Sequence, residues 1–257
     1  MSPPCRPSQP ALPPAAYATR QAAANGSSRM SRSVRTHAQL SGIRVRTRRV
    51  RVVEMGGGES IKFDVFFDYQ CPFVYRAAGL IDAVRRSGDR NLEVRWRYFS
   101  LTQVNSKDDG WTVWDAPASE PVRGRLAFQA AEAARRQGRF DEMHGALLQA
   151  RHRDRLDLDD EAIVAKVAAD SGLDLERFRR DVADPSALDA LAADHRAGVA
   201  EHGVFGTPTF VFADGAAAYV RLAESAGENG AVEVFDRLVT VAAAEPRILE
   251  IKRPYRR

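Results

Sequence analysis

A cysteine followed by proline stands where a strand hands over to a helix, and that junction constrains the chain more than any other feature. Ile61 to Asp68 reads IKFDVFFD, rich in β-branched and aromatic residues, and predicts a buried strand. Cys71 and Pro72 follow. Phe73, Ala77, Leu80, Ile81 and Val84 then recur at helical spacing up to Ser87-Gly88. Leu92, Val94, Trp96 and Tyr98 alternate with Glu93, Arg95 and Arg97, the period-two pattern of a half-buried strand. A strand, a helix and a strand in so short a stretch make a βαβ unit, whose strands are parallel. Pro72 suits the first helical position, which puts Cys71 at the helix N-terminus. Unpaired N–H groups and the positive helix end favour a thiolate there. The competing reading of such a cysteine is a small buried hydrophobe that caps the helix.

The middle of the chain is helical. Ser119-Glu120-Pro121 reads as a helix start, with Val122, Leu126, Ala130 and Ala133 on one face. Further helices are marked by Phe140, Met143 and Leu147, by Ile163, Val164 and Val167, by Leu175, Phe178 and Val182, and by Leu188, Leu191, His195 and Val199. Strand signals return at Thr209–Phe212 and Ala217–Leu222, which flank the hairpin signal Asp214-Gly215. A last helix is predicted from about Ala231 to Ala244. Before the third strand, Gly203-Val204-Phe205-Gly206-Thr207-Pro208-Thr209-Phe210 places proline where no ladder N–H is needed, which suits a strand start or a cis turn.

Charge divides the chain. The first 53 residues hold ten arginines and no acidic residue; beyond them, 28 basic residues face 34 acidic ones. A mildly acidic body disfavours nucleic-acid binding. Two cysteines leave neither a disulfide framework nor a Cys-rich zinc site, no metal-ligand spacing appears, and no metal is expected. No apolar run approaches the roughly 20 residues of a membrane helix. Residues 1–59 read as a basic extension outside the fold. Translated GC-rich upstream sequence, a transit peptide and a functional basic tail all fit its composition, and Met1 and Met55 are both candidate starts. Residues 60–245 are expected to form the domain, with a helical insert at about 110–202, and residues 246–257 a polar tail.

Taken together, FFDYQCPFVYR at 66–76, WRYFSL at 96–101 and GVFGTPTFVF at 203–212 resemble the DsbA family of thioredoxin-like proteins, in its branch of FrnE-like oxidoreductases and 2-hydroxychromene-2-carboxylate isomerases. The resemblance implies an α/β thioredoxin-like fold, βαβ then ββα, with about five inserted helices. It implies that Cys71 is the nucleophile, that Pro72 and Phe73 tune it, that Pro208 is a cis-proline beside it, and that the backbone of Thr207 pairs with a bound thiol or peptide. The family's second cysteine is replaced by Val74, and Cys5 lies 66 residues from Cys71. The expected activity is therefore a cytoplasmic, monothiol thiol–disulfide oxidoreductase. It would act on a small thiol or a protein disulfide, with no bound cofactor and with glutathione or an equivalent small thiol as co-substrate. A glutathione-dependent isomerase or kappa-class transferase is an alternative, although such relatives mostly carry serine at position 71 and their glutathione-holding Ser-Asp or Gly-Asp pair has no match in Leu222 to Gly227. A non-catalytic binding module is another. Tyr69, Tyr75 and Asn105 are candidate thiol contacts, with packing the competing role for the tyrosines. Trp111 and Trp114 either roof the site or pin a loop. His144 and His195 read as packing residues, and His202 as a residue near the Pro208 loop that could polarise a substrate. Asp64 and Asp68 have no nameable partner.

Overall fold

The computed structural model describes residues 60–224, 230–245, 247–251 and 253. The basic extension and Ser225 to Gly227 lie outside the described residues. Strand β1 (Ile61–Phe67), helix α1 (Pro72–Ser87) and strand β2 (Leu92–Tyr98) form the expected βαβ unit, with β1 and β2 parallel and Val65 opposite Trp96. Strand β3 (Thr209–Phe212) runs antiparallel along the other side of β1, and β4 (Ala217–Tyr219) antiparallel to β3. The sheet order is β2-β1-β3-β4.

The alternation of β1 decides which layer covers which face. Phe63, Val65 and Phe67 point into the main core with α1 and helix α8 (Ala231–Ala244). Phe66 points the other way and clusters with Phe99, Val204 and Val211. Gly198 makes that second face possible, because a Cβ there would lie 2.7 Å from the Phe66 ring. It sits in helix α7 (Asp189–His202), entered through a 3-10 turn at Pro185–Leu188. Between β2 and α7 come α2 (Leu101–Val104), α3 (Arg125–Arg136), α4 (Phe140–His152), α5 (Glu161–Asp170) and α6 (Leu175–Ala183). Asp160 caps α5 by accepting the Ala162 and Ile163 N–H groups, and Asp174 caps α6 by accepting that of Arg177.

Four expectations are corrected. Ser119-Glu120-Pro121 does not begin a helix; α3 starts at Arg125, after Gly124 at φ 79°. The Arg125 guanidinium binds the carbonyls of Ala116, Pro117, Ala118 and Glu120, which holds that stretch as a loop. The inserted helices begin earlier than position 110, because Ser100 Oγ accepts the Gln103 N–H and caps the short α2. Strand β4 stops at Tyr219 rather than Leu222, where the chain crosses to α1 and the Leu222 carbonyl accepts from Arg76. Val199 is 50% exposed; the packed face of α7 is Leu191, Ala192, His195 and Gly198.

Candidate functional site

The site is built where β1 ends. Asp68, at the turn, is buried; its carboxylate accepts the N–H groups of Gln70 and Leu101, each at 2.7 Å, and so ties the turn to α2. Its carbonyl accepts the Cys71 N–H at 3.1 Å. Burial pushes the Asp68 carboxyl up to about 6, opposed by those two hydrogen bonds and by the charge of Arg123. Cys71 then stands at the head of α1, with φ −87° and ψ 115°, Pro72 next and no side-chain bond to a helix N–H. The Cys71 thiol donates to the Thr207 carbonyl at 3.2 Å. The Thr207–Pro208 peptide bond is cis, as the resemblance implies.

One feature of this arrangement differs from what a cysteine at a helix head implies. A cysteine at a helix head is expected to be partly exposed, yet Cys71 is only 5% exposed. The loop carrying Thr207 lies against its sulfur. Val74, where the second cysteine would stand, is fully buried in the core behind it. Pro72 is exposed, and Phe73 is half-buried beneath the guanidiniums of Arg221 and Arg76, 4.0 Å and 5.2 Å from its ring centroid. The Thr207 hydroxyl is buried with no hydrogen-bond partner in the structure.

The flanking tyrosines are packing residues. Tyr69 is wholly buried and hydrogen-bonds through its hydroxyl to His144 Nδ1 at 3.1 Å, so it offers a bound thiol no surface. Tyr75 stacks on His152, whose Nε2 lies 2.9 Å from the Tyr69 carbonyl. Asn105 is exposed at the end of α2 and donates to the Leu101 carbonyl at 2.7 Å. It lines an open cleft of about 750 Å³ with Gln70, Thr102, Lys107, Trp111 and Arg123. Both polar atoms of the Gln70 amide are buried there without partners. Sequence reasoning passed over Gln70, although its position directly before Cys71 was the available signal.

The two tryptophans divide the roles expected of them. Trp111 lines the cleft, its indole N–H donating to Glu120. Trp114 packs between His195 and the Arg196 guanidinium. His144 and His195 are packing residues. His144 sits against Trp96 at 4.3 Å, and burial pulls its pKa down to about 3. His195 stacks on Phe99 at 4.4 Å, accepts the Ser100 N–H, and is pulled down to about 4 by burial. His202 rests against Phe66, at 6.0 Å between ring centroids. Asp64 does have partners: Arg95 and Arg97, the latter bridging also to Asp194.

A family model, the DSBA-like thioredoxin domain, matches residues 62–228. The chain belongs to that family. DsbA-like proteins are in general thiol–disulfide oxidoreductases or isomerases. Two solved structures share this chain's fold. One, from Streptomyces coelicolor and described as a probable DsbA oxidoreductase, is 22% identical, covers 75% of this chain and 94% of its own, and has a TM-score of 0.51. The other is a 2-hydroxychromene-2-carboxylate isomerase, 15% identical over 70% of this chain and 96% of its own, with a TM-score of 0.50. Among curated proteins, the Na(+)/H(+) antiporter NhaA 1 of Mycobacterium sp. (strain KMS) is 35% identical over 115 residues, 45% of this chain. The match spans only 15% of that antiporter's length. Among the described residues no helix is long and apolar enough to cross a membrane.

Proposed function

We propose that this DsbA-like protein is a monothiol thiol–disulfide oxidoreductase, with Cys71 as nucleophile and glutathione or an equivalent small thiol as co-substrate. The observation that carries the reading is the contact of the Cys71 sulfur with the Thr207 carbonyl, beside the cis Thr207–Pro208 bond, with buried Val74 where a resolving cysteine would stand. The Cys71 thiolate attacks one sulfur of a disulfide. A new S–S bond forms to Cys71, and the other sulfur leaves as a thiolate that takes a proton from water. A small thiol then attacks the mixed disulfide and releases the substrate thiol, leaving the small thiol on Cys71. A second small thiol frees Cys71 as the oxidised dimer, so two small thiols supply the two electrons. Thr207 and Pro208 present the backbone along which the substrate lies, and Pro72 and Phe73 shape the sulfur's surroundings. Asn105, Lys107 and Arg123 offer one amide and two cations to the carboxylates of the small thiol in the adjacent cleft. The cytoplasm is the proposed compartment, as for the FrnE-like enzymes the sequence resembles.

The test is reduction of hydroxyethyl disulfide with and without glutathione. Wild type should turn over only with glutathione, at a rate that rises with its concentration. Cys71→Ser should be inactive. Val74→Cys should give a dithiol that completes one exchange with hydroxyethyl disulfide unaided. The 5% exposure of Cys71 favours a second reading, a non-catalytic thioredoxin-fold binding module. Iodoacetamide separates the two, since a native protein that resists alkylation at Cys71 removes the redox reading and leaves the binding module.

A further inference from the structure

Two residues beyond Cys71, Phe73 carries two guanidiniums that have no carboxylate partner among the described residues. Several of the protein's arginines meet carboxylates: Arg90 with Asp236, Arg97 with Asp64 and Asp194, Arg136 with Asp184, Arg139 with Glu142. Arg76 and Arg221 have no such partner among the described residues. Arg76 spends one N–H on the Leu222 carbonyl, and both guanidiniums lie over Phe73, two residues from the thiol. Stacking on an aromatic face holds a guanidinium in place while leaving its edge N–H groups free for a carboxylate. Tyr219, at the end of edge strand β4, belongs to the same surface. It lies beside the Pro208 loop: a Cβ on Gly206 would sit 3.2 Å from its ring, and the next residue, Val220, donates its N–H to the Pro208 carbonyl at 3.0 Å. Its ring meets that of Phe205 at 5.1 Å, and the two are 39% and 67% exposed.

A cation pair with no carboxylate partner among the described residues, beside two exposed aromatic rings, matches a chain segment that carries an acidic and an apolar side chain. We propose that the surface formed by Phe73, Arg76, Phe205, Tyr219 and Arg221 docks a protein substrate and selects disulfides whose cysteine has an acidic neighbour in sequence. The substrate carboxylate sits on the Arg76–Arg221 pair and an adjoining apolar side chain on the Phe205–Tyr219 pair, which brings the substrate sulfur to Cys71. The inference rests on the reading of Cys71 as the attacking thiol. It deepens that reading by naming a polypeptide substrate and its charge.

Binding can be separated from chemistry. Labelled octapeptides with a central S-methylcysteine, flanked by Glu, Gln or Lys, are titrated into Cys71→Ser protein and followed by fluorescence anisotropy. The Glu peptide should bind most tightly, about fivefold better than the Gln peptide, as one partly exposed ion pair provides, with the Lys peptide weakest. High salt should compress the ranking. Arg221→Glu should reverse it, Arg221→Gln should flatten it, and Phe205→Ala should weaken all three peptides together. Thermal melts establish that each variant is folded. Equal binding of the three peptides, or an unchanged ranking in Arg221→Glu, overturns the proposal. Exchange of wild-type protein with uncharged hydroxyethyl disulfide reports on Cys71 alone, so a failed ranking with intact exchange sinks the docking surface and spares the thiol chemistry. Failed exchange with the ranking kept overturns selection of a disulfide and leaves a surface that binds acidic peptides.

Discussion

Around β1 the packing is aromatic: Phe63 stacks on Phe210 at 5.7 Å, and Phe67 meets Tyr69, Trp96 and Tyr98 at 5.1 to 5.6 Å. In the helical block it is tight and small: α3 buries Ala127, Ala130, Ala131, Ala133 and Ala134 against its neighbours. The aromatic half holds Cys71 where the backbone leaves the sheet, and one sulfur contact across 136 positions of sequence joins it to the Thr207 loop. The helical block uses its buried polar groups for packing and capping. Its buried histidines are neutral packing residues, and its aspartates cap helices. The thioredoxin-like half thus holds Cys71, and the inserted half adds a packed layer beside it and, through Asn105, Lys107, Trp111 and Arg123, most of the cleft.

Exchange and stability should therefore come apart under mutation. The largest effect expected is Cys71→Ser, which should lower the rate of hydroxyethyl disulfide exchange by about a hundredfold or more, the order lost with a covalent nucleophile. Its melting temperature should move little, because serine preserves the volume. If stability falls as steeply as exchange, the two halves are not separable in this way. The converse substitution is Ala131→Leu, which overpacks α3 and should cost about 1–3 kcal/mol in denaturant unfolding. The alkylation rate of Cys71 in folded protein should not follow it.

Acid should sharpen the contrast next. His144 and His195 have native pKa values of about 3 and 4, below their ordinary 6.5. The unfolded chain therefore takes up protons that the native state refuses as pH falls below about 6.5. Their stabilisation is fully present above that pH, and each group loses about 1.4 kcal/mol per pH unit until its native pKa is reached. His195→Asn, whose side-chain oxygen can still accept the Ser100 N–H, should flatten that limb in unfolding measured from pH 7 to 4. Asp68 works with the opposite sign. Its native pKa of about 6 exceeds the ordinary 3.8, so its contribution to stability falls as pH rises from about 4 to 6 and stays low above that window. Asp68→Asn should remove this opposing term and steepen the net acid destabilisation. An unchanged pH profile in both variants would show that other groups set it. The smallest effect concerns the cleft. Lys107→Gln should raise the half-saturating glutathione concentration a few-fold at low salt and less at high salt, as for a single exposed cation.

Much of this was legible in the residues. A β-branched and aromatic run located β1, period-two alternation located β2, helical spacing located α1, α4, α5 and α6, and Asp214-Gly215 located the hairpin, because each is a local pattern. The Ser119-Glu120-Pro121 signal does not start a helix because Arg125, five to nine positions downstream, donates to four carbonyls of that stretch and holds it as a loop. Tyr69 flanks the cysteine in sequence, but the turn points it inward to a histidine 75 positions away. Nothing in the spelling of Asp68 or Gln70 announces a buried carboxyl or an unpartnered amide; both follow from what α2 and α3 bring against the turn.

By itself, then, the sequence determined that a cysteine heads the helix after the first strand, that it lacks a thiol neighbour at position 74, and that a Thr-Pro pair precedes a later strand. These are properties of adjacent residues and of backbone geometry within one turn. Only the tertiary structure decided that the Thr207 carbonyl lies on the Cys71 sulfur, that the sulfur is almost covered, and that Arg76 and Arg221 converge on Phe73. Those facts depend on where β3, β4 and α1 are packed relative to one another. That placement follows from burying Phe63, Val65 and Phe67 on one face and Phe66 on the other, a sum over many distant contacts that no local pattern contains.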